Sequence, residues 1–499
     1  MIRRTAMSAI AFTLAMGPAF GQVSQEELDA ISIPDKVETA IGALEFFDGV
    51  PTDATVEMVY DNLDRMRGTD VFLDNIGAVS MYSVRKGLAD AGAEGANRIA
   101  LFANLMDSQT LVVTANTSTL YAYTYTDLAK DGPTVIEVPP GMLGFLNDAW
   151  QRFVGNMGVT GPDKGEGGKY LVVPPGYSGD IPDGYFLLKP STNRNFLFLR
   201  GSIAKGLKPE VENIQSKLRV YPLKDAANPA ETEFVNVSNK AFNTVFPSDF
   251  SYFEMLNEVV QGEPIEAISP DVRGEIAAIG IVKGQDFAPD DRMKKLLTEA
   301  ATLGAASARA ITYHPRIAGV SIYPDDPKSV WSTAFANKNT SFEADGAMGL
   351  DARALYYYNA GGVTPAMAAT IPGAGSDYGL AVLDANKQAF DGAKTYKLTL
   401  PKDVPVKDFW AVTIYDTQTR SQLQTSQSFP TIGSQTKGMT QNADGSYDIY
   451  FGPEAPEGKE GNWLQTVPGK SWFTILRMYG PLEPWINKTW RPGEIEMVQ

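Results

Sequence analysis

Thr119-Leu120-Tyr121-Ala122-Tyr123-Thr124-Tyr125 is the stretch that decides the fold class. Rings at every second position place Tyr121, Tyr123 and Tyr125 on one side of an extended segment, with small or polar residues on the other. That period of two belongs to a strand, because a helix brings residues three and four apart onto one face. The neighbouring sequence repeats the signal. Thr110 to Thr114 is rich in β-branched residues, and Thr134 to Val138 is stopped by Pro139-Pro140-Gly141. Lys169 to Val173 runs into Pro174-Pro175-Gly176, and Tyr185 to Leu188 and Asn195 to Arg200 follow. Short strands with proline and glycine stops predict an antiparallel sandwich or barrel.

Further out the period changes. Glu26 to Leu28, Val37 to Phe47 and Val56 to Leu63 carry apolar residues at three- and four-residue spacing and predict helices. A second helical block is expected from Ser248 to Ala310, with Phe250, Phe253, Leu256, Val259 and Val260 on one face. From Tyr356 onward strands are expected again, in Tyr378 to Leu383, Thr395 to Leu400, Phe409 to Tyr415, Ser446 to Phe451 and Trp472 to Tyr479. The expected architecture is mainly β with α: two antiparallel β-sandwich domains joined by a helical segment, plus N-terminal helices. The boundaries read as a signal peptide at 1–21, a helical region at 22–107, a first sandwich at 108–225, a helical connection at 226–315 and a second sandwich at 316–499.

Composition narrows the chemistry. The 499 residues include no cysteine and one histidine, His314. Disulfides, thiolate nucleophiles and cysteine- or two-histidine zinc sites are therefore excluded within one chain, and no cofactor or metal is expected. The net charge of −16 argues against a nucleic-acid partner. At the N-terminus Arg3 and Arg4 precede an apolar run from Ala6 to Ala15, and Ala19-Phe20-Gly21 supplies small residues before Gln22. This is the pattern of a secretory signal cleaved near Gly21. The run is shorter than the roughly 20 apolar residues a bilayer span needs. The expected location is the periplasm or outside the cell, with no transmembrane span. Self-association is left open.

A set of motifs then appears in order. Asn116-Thr-Ser-Thr-Leu-Tyr121, Val135-Ile-Glu-Val-Pro139 and Gly168-Lys-Tyr-Leu-Val-Val-Pro-Pro-Gly176 are followed by Phe409-Trp-Ala-Val-Thr-Ile-Tyr-Asp416, Asn442-Ala-Asp-Gly-Ser-Tyr-Asp-Ile-Tyr450, Asn462-Trp463-Leu464 and Leu476-Arg-Met-Tyr479. Together they resemble a bacterial exported family with paired domains of unknown function, 1254 at the N-terminal side and 1214 at the C-terminal side. The resemblance implies two β-sandwiches, the second jelly-roll-like, with helices between. It implies no settled activity. One departure is Ser118, where the family pattern carries an aspartate.

For function, the aromatic groups carry the most. Tyr121, Tyr123, Tyr125, Tyr415 and Trp463 join an apolar ring to a polar tip, which suits a cleft that stacks on a ring compound or sugar. Asp416 and Arg477 complete the candidate set. Arg477 lies inside the apolar strand Ile475 to Tyr479 and must pair with something, either Asp416 or Glu483 or a ligand's carboxylate or sulfate. His314, in Tyr313-His314-Pro315, reads as a loop residue without a role. Ser83-Val-Arg-Lys86 lacks the companion motifs of a penicillin-interacting enzyme. The expected function is binding of a small molecule or glycan in an aromatic-lined cleft. The alternative is a cell-envelope hydrolase or lyase using carboxylate or tyrosine chemistry.

Overall fold

The computed structural model describes residues 23–368 and 371–498, so the signal peptide expected at 1–21 lies outside the described residues. The protein is mixed α/β with open sheets. No helix among the described residues is long and apolar enough to cross a membrane.

The described residues divide into two compact units, one ending at Leu63 and one beginning at Asp64. In the first, a short helix Gln25–Ile31 starts at Ser24, whose hydroxyl and the Glu27 side chain cap one another. Strands Lys36–Thr39, Gly42–Phe47 and Val50–Pro51 then form a small antiparallel sheet. The helix expected over Val37 to Phe47 is therefore a hairpin. Gly42, at φ +130°, makes the turn that a helical spacing of apolar residues does not reveal.

In the second unit a six-stranded sheet is built around the tyrosine strand, Leu120–Asp127, and its antiparallel neighbour Arg194–Gly201. Register pairs Tyr121 with Arg200, Tyr123 with Phe198 and Tyr125 with Phe196, so these six side chains share one face. Two of its remaining strands, Leu143–Asn147 and Phe153–Gly158, lie within residues 108–225, and two come from either side of that range, Arg98–Leu101 and, parallel to it, Glu233–Asn236. Its opposite face carries Leu120, Ala122, Leu197 and Leu199. They pack with Ile136, Tyr170, Val172 and Val220 of a four-stranded sheet. The aromatic face packs under helices. Ile76–Asp90, Ser251–Gly262 and the long Asp291–Tyr313 contribute Val79, Tyr252, Leu256, Leu297 and Ala301 to one core with Tyr121, Tyr123 and Phe198.

The C-terminal part repeats the plan of two facing sheets. A five-stranded sheet contains Ser376–Ala381, Val406–Asp416 and Ser471–Pro481, and a four-stranded sheet contains Tyr396–Leu400 and Tyr447–Gly452. Trp410, Val412, Leu476 and Met478 of the first meet Leu398, Ile449 and Phe451 of the second. Trp472 is fully buried there, stacked at 4.1 Å on Phe390 and 4.8 Å on Phe451. Most pairing is antiparallel, as expected. The short edge strands Phe186–Leu188, Glu233–Asn236 and Trp463–Gln465 instead add in parallel. Tyr356 to Tyr358 lie in a buried helix, Leu350–Asn359, rather than in a strand. Their burial on all sides hides the period that would distinguish the two.

Candidate functional site

Because side chains alternate along a strand, each β-domain has a second inward face besides its sheet-to-sheet core. On the C-terminal five-stranded sheet this face carries Tyr378, Leu380, Ile475 and Arg477, with Tyr378 directly opposite Arg477 across the strands. On the six-stranded sheet it carries Tyr121, Tyr123, Phe198 and Arg200. The two faces contribute to the wall of one cavity of about 80 Å³. The segment Val112 to Ala115 and the end of the Tyr356 helix, from Asn359 to Gly362, complete the wall. That volume holds several waters or one small organic molecule, since a single water needs about 10–15 Å³ on the same measure.

Two guanidinium groups line this cavity. Arg200 and Arg477 are each 6% exposed, and a guanidinium keeps its charge at any ordinary pH. Neither is in an ion pair among the described residues. Arg477 donates from Nη2 to the carbonyl oxygens of Thr114 and Ala115 and to the Tyr415 hydroxyl, 2.7 Å away, and its charge lies over the rings of Tyr378 and Tyr415 at 5.4 and 5.9 Å. The Arg200 guanidinium lies 5.7 Å from the Phe198 ring centre and makes no hydrogen bond among the described residues. The Nε of both arginines is buried without a partner. The Tyr479 hydroxyl beside them is also buried and unpaired. Burial, and to a lesser degree the charge of Arg477, count against the charge on Arg200. No aspartate, glutamate or histidine lines the cavity.

Burial pushes Tyr123, Tyr356, Tyr415 and Tyr479 above the usual tyrosine range, although Arg477 pulls Tyr415 and Tyr479 back. These four do not act as bases near neutral pH, and Tyr356 and Tyr415 donate hydrogen bonds. Tyr356 gives its proton to the Gly362 carbonyl at 2.6 Å. The Tyr121 oxygen accepts from Asn116, whose side-chain oxygen also holds the backbone N–H of Ser118.

The expected site residues separate accordingly. Tyr121, Tyr123 and Arg477 line the cavity, and Tyr415 stands behind Arg477 as its acceptor. Tyr125 points elsewhere. Its hydroxyl donates to the Met81 carbonyl, and it lines a smaller cleft with Arg194 and Glu263. Asp416 does not pair with Arg477. It accepts the backbone N–H groups of Gln418 and Thr419 in its own turn and forms an ion pair with Lys470. Trp463 lies on an edge strand of the four-stranded sheet and donates to the Gly452 carbonyl at 2.9 Å. His314 is an exposed residue at the end of the Asp291–Tyr313 helix. Ser83 donates to the Met255 sulfur and Lys86 pairs with Asp90, so that motif is structural.

Arg200 and Tyr378 are among the wall residues that sequence reasoning did not select. Arg200 closes the apolar run Phe196-Leu-Phe-Leu. The argument that singled out Arg477 applies to it equally.

Two larger cavities, of about 290 and 540 Å³, flank Trp150. Their cations are partnered. Arg273 and Lys283 donate to carbonyls, Arg152 pairs with Asp148, and Arg353 pairs with Asp74.

Comparison with known proteins agrees with this organisation. The family described as protein of unknown function DUF1254 matches residues 96–222, and protein of unknown function DUF1214 matches residues 375–483. The crystal structure of the VPA0106 protein from Vibrio parahaemolyticus is similar at 18% identity and a TM-score of 0.53, covering 87% of this chain and all of that one. A putative uncharacterised protein from Burkholderia cenocepacia is similar at 12% identity and a TM-score of 0.39, covering 88% of this chain and 96% of the other. No curated protein matches.

Proposed function

For a chain that carries DUF1254 and DUF1214 in that order, we propose a binding protein whose small-molecule site is the cavity between the two domains. The observation that carries this reading is the wall itself, where aromatic rings from both domains surround two buried charged groups that the protein does not neutralise. Binding sites combine a mainly apolar lining with a few polar groups in this way. Residues of this kind violate the ordinary rules of burial, and such violations concentrate where a protein functions.

The hydrolase or lyase alternative draws less support. Glycoside chemistry needs two carboxylates facing across a cleft, and this wall has none. Tyrosine acting as a base needs a lowered pKa, and burial raises those of Tyr123 and Tyr356.

The test is a thermal-shift screen of the purified protein against sugars, aromatic alcohols and carboxylic acids. Ala334→Leu, which fills the cavity, serves as the control. A shift in the native protein that the Leu variant loses is expected. No shift with any compound, together with empty cavities in soaked crystals, counts against the reading.

Two further elements belong to the same proposal. Each pair of facing sheets is read as a sandwich, supported by the two apolar clusters that draw residues from both sheets of a pair. The protein is read as exported to the periplasm, on the strength of Arg3-Arg4 and the apolar run to Ala15. The mature N-terminus, measured by mass spectrometry on the periplasmic fraction, checks the second point. A chain still beginning at Met1 there would overturn it.

A further inference from the structure

We infer that the occupant of this cavity is a small organic carboxylate, its charge held between Arg200 and Arg477 and its apolar body lying among Tyr121, Tyr123, Phe198 and Tyr356. The inference rests on the binding reading above and narrows it to one ligand class.

The charge argument comes first. A cation taken out of water costs several kcal/mol unless something negative or strongly dipolar replaces the hydration shell. Elsewhere in this fold buried cations have such replacements. The half-buried Arg194 sits beside the carboxyl of Glu263, and the buried Arg420, though its Nη2 is unpaired, lies 4.1 Å over the Tyr358 ring and donates to the carbonyls of Tyr358 and Gln418. Arg477 is partly satisfied by carbonyls and Tyr415, yet its Nε stays unpaired. Arg200 has only the ring of Phe198. Two like charges facing one cavity, with unpaired donors and no carboxylate in its wall, are complementary to an anion.

The remaining wall selects among anions. Thr114 donates its hydroxyl proton to the Asn359 carbonyl, and the Asn359 amide nitrogen serves Thr312 and Leu355. The Tyr356 proton goes to Gly362. Beyond the two guanidiniums the donors left are phenols, those of Tyr121 and Tyr123 in the wall and the unpaired Tyr479 hydroxyl beside it. A carboxylate presents two oxygens, which two guanidiniums can serve. A phosphate or sulfate presents further oxygens, and the aliphatic part of the wall, Val112, Leu380 and Ile475, has no donor to offer them. The apolar and aromatic part of the wall suits a hydrocarbon or ring body instead. Arg200 comes from the first domain and Arg477 from the second, so one carboxylate would bridge both.

The experiment measures binding to the purified full-length protein by calorimetry. The probes are acetate, propionate and benzoate, with benzamide and benzyl alcohol as neutral partners of benzoate and with sulfate as a bare oxyanion. At least one carboxylate is expected to bind, at least tenfold tighter than its neutral partner and than sulfate. Arg200→Met, which removes no hydrogen bond of the fold, is expected to weaken that carboxylate at least tenfold. Arg200→Lys is expected to recover part of the loss. Circular dichroism confirms that both variants are folded. Equal binding of benzoate, benzamide and benzyl alcohol would overturn the carboxylate inference and leave the binding reading standing. The same holds for carboxylate binding that Arg200→Met does not change, or for sulfate binding tightest. If neither these probes nor the compounds of the broader screen bind, both readings fail.

Discussion

Arg477 and Tyr415 share a hydrogen bond of 2.7 Å in which the guanidinium donates and the phenol accepts, and the phenol passes its own proton to the Ala115 carbonyl at 2.8 Å. Tyr415 is fully buried, so both bonds form away from water. Tyr415→Phe removes both while preserving the ring. Leaving a buried carbonyl and a guanidinium each short of a partner is expected to cost about 1–3 kcal/mol, read from urea unfolding. A change within about 0.5 kcal/mol, the usual range at an unimportant surface position, would show that the relay does not form.

The two cavity arginines are expected to differ in their effect on stability. Arg477→Met strands the Thr114 carbonyl and takes a donor from the Tyr415 hydroxyl, and is expected to destabilise the protein by roughly 2–3 kcal/mol. Arg200→Met removes a buried charge that has no protein acceptor. It is expected to leave the unliganded protein as stable as before or up to about 2 kcal/mol more so. Unfolding curves of the two variants side by side check this, and a large loss in Arg200→Met would reveal an acceptor within the fold.

Glu263 sets a pH dependence. Burial raises its carboxyl from 4.5 to about 7, against the pull of the Asn193 and Arg194 backbone N–H groups and the Arg194 guanidinium. Between those values the folded protein binds the proton more tightly than the unfolded chain does. The contribution is therefore fully present below pH 4.5 and is lost as pH rises through about 7. The loss is on the order of 3 kcal/mol. Glu263→Gln keeps an acceptor but cannot ionise, and it is expected to flatten this part of the stability–pH curve. A curve from pH 4 to 8 identical to that of the parent would contradict the assignment.

Gly362 shapes the cavity mouth. Its φ is +100°, and an added Cβ would lie 2.7 Å from the Phe145 ring. Its carbonyl also accepts the Tyr356 proton. Gly362→Ala is expected to destabilise the fold by about 2 kcal/mol or more, because an L side chain is strained there and the stacked Phe145–Phe198 pair, at 4.6 Å, must shift. A melting temperature unchanged by the substitution would rule this out.

The strands and their faces were legible in the sequence because they alternate. Tyr121, Tyr123 and Tyr125 share a face as their spacing says. Alternation cannot say what lies opposite that face, so Tyr123 and Tyr125, two positions apart, belong to different clefts. Arg477 was legible as a problem because an arginine inside an apolar strand needs an explanation, but its solution was not. The acceptors at Thr114 and Ala115 are backbone groups more than 360 residues away, and carbonyls carry no sequence signature. Asp416 misled for the same reason, since its nearest claims come from its own turn and from Lys470.

The segment from Ser108 to Ala115 is tied to the far end of the chain at four places. Ser108 N–H donates to the Ser428 carbonyl and Thr114 N–H to that of Arg420, while the carbonyls of Thr114 and Ala115 receive Arg477 and Tyr415. Cut apart, one polypeptide would carry carbonyls and the other a guanidinium with nothing to hold. Supplied together as separate pieces, they would have a built-in means of finding each other again, so fragment complementation is the natural way to dissect this molecule.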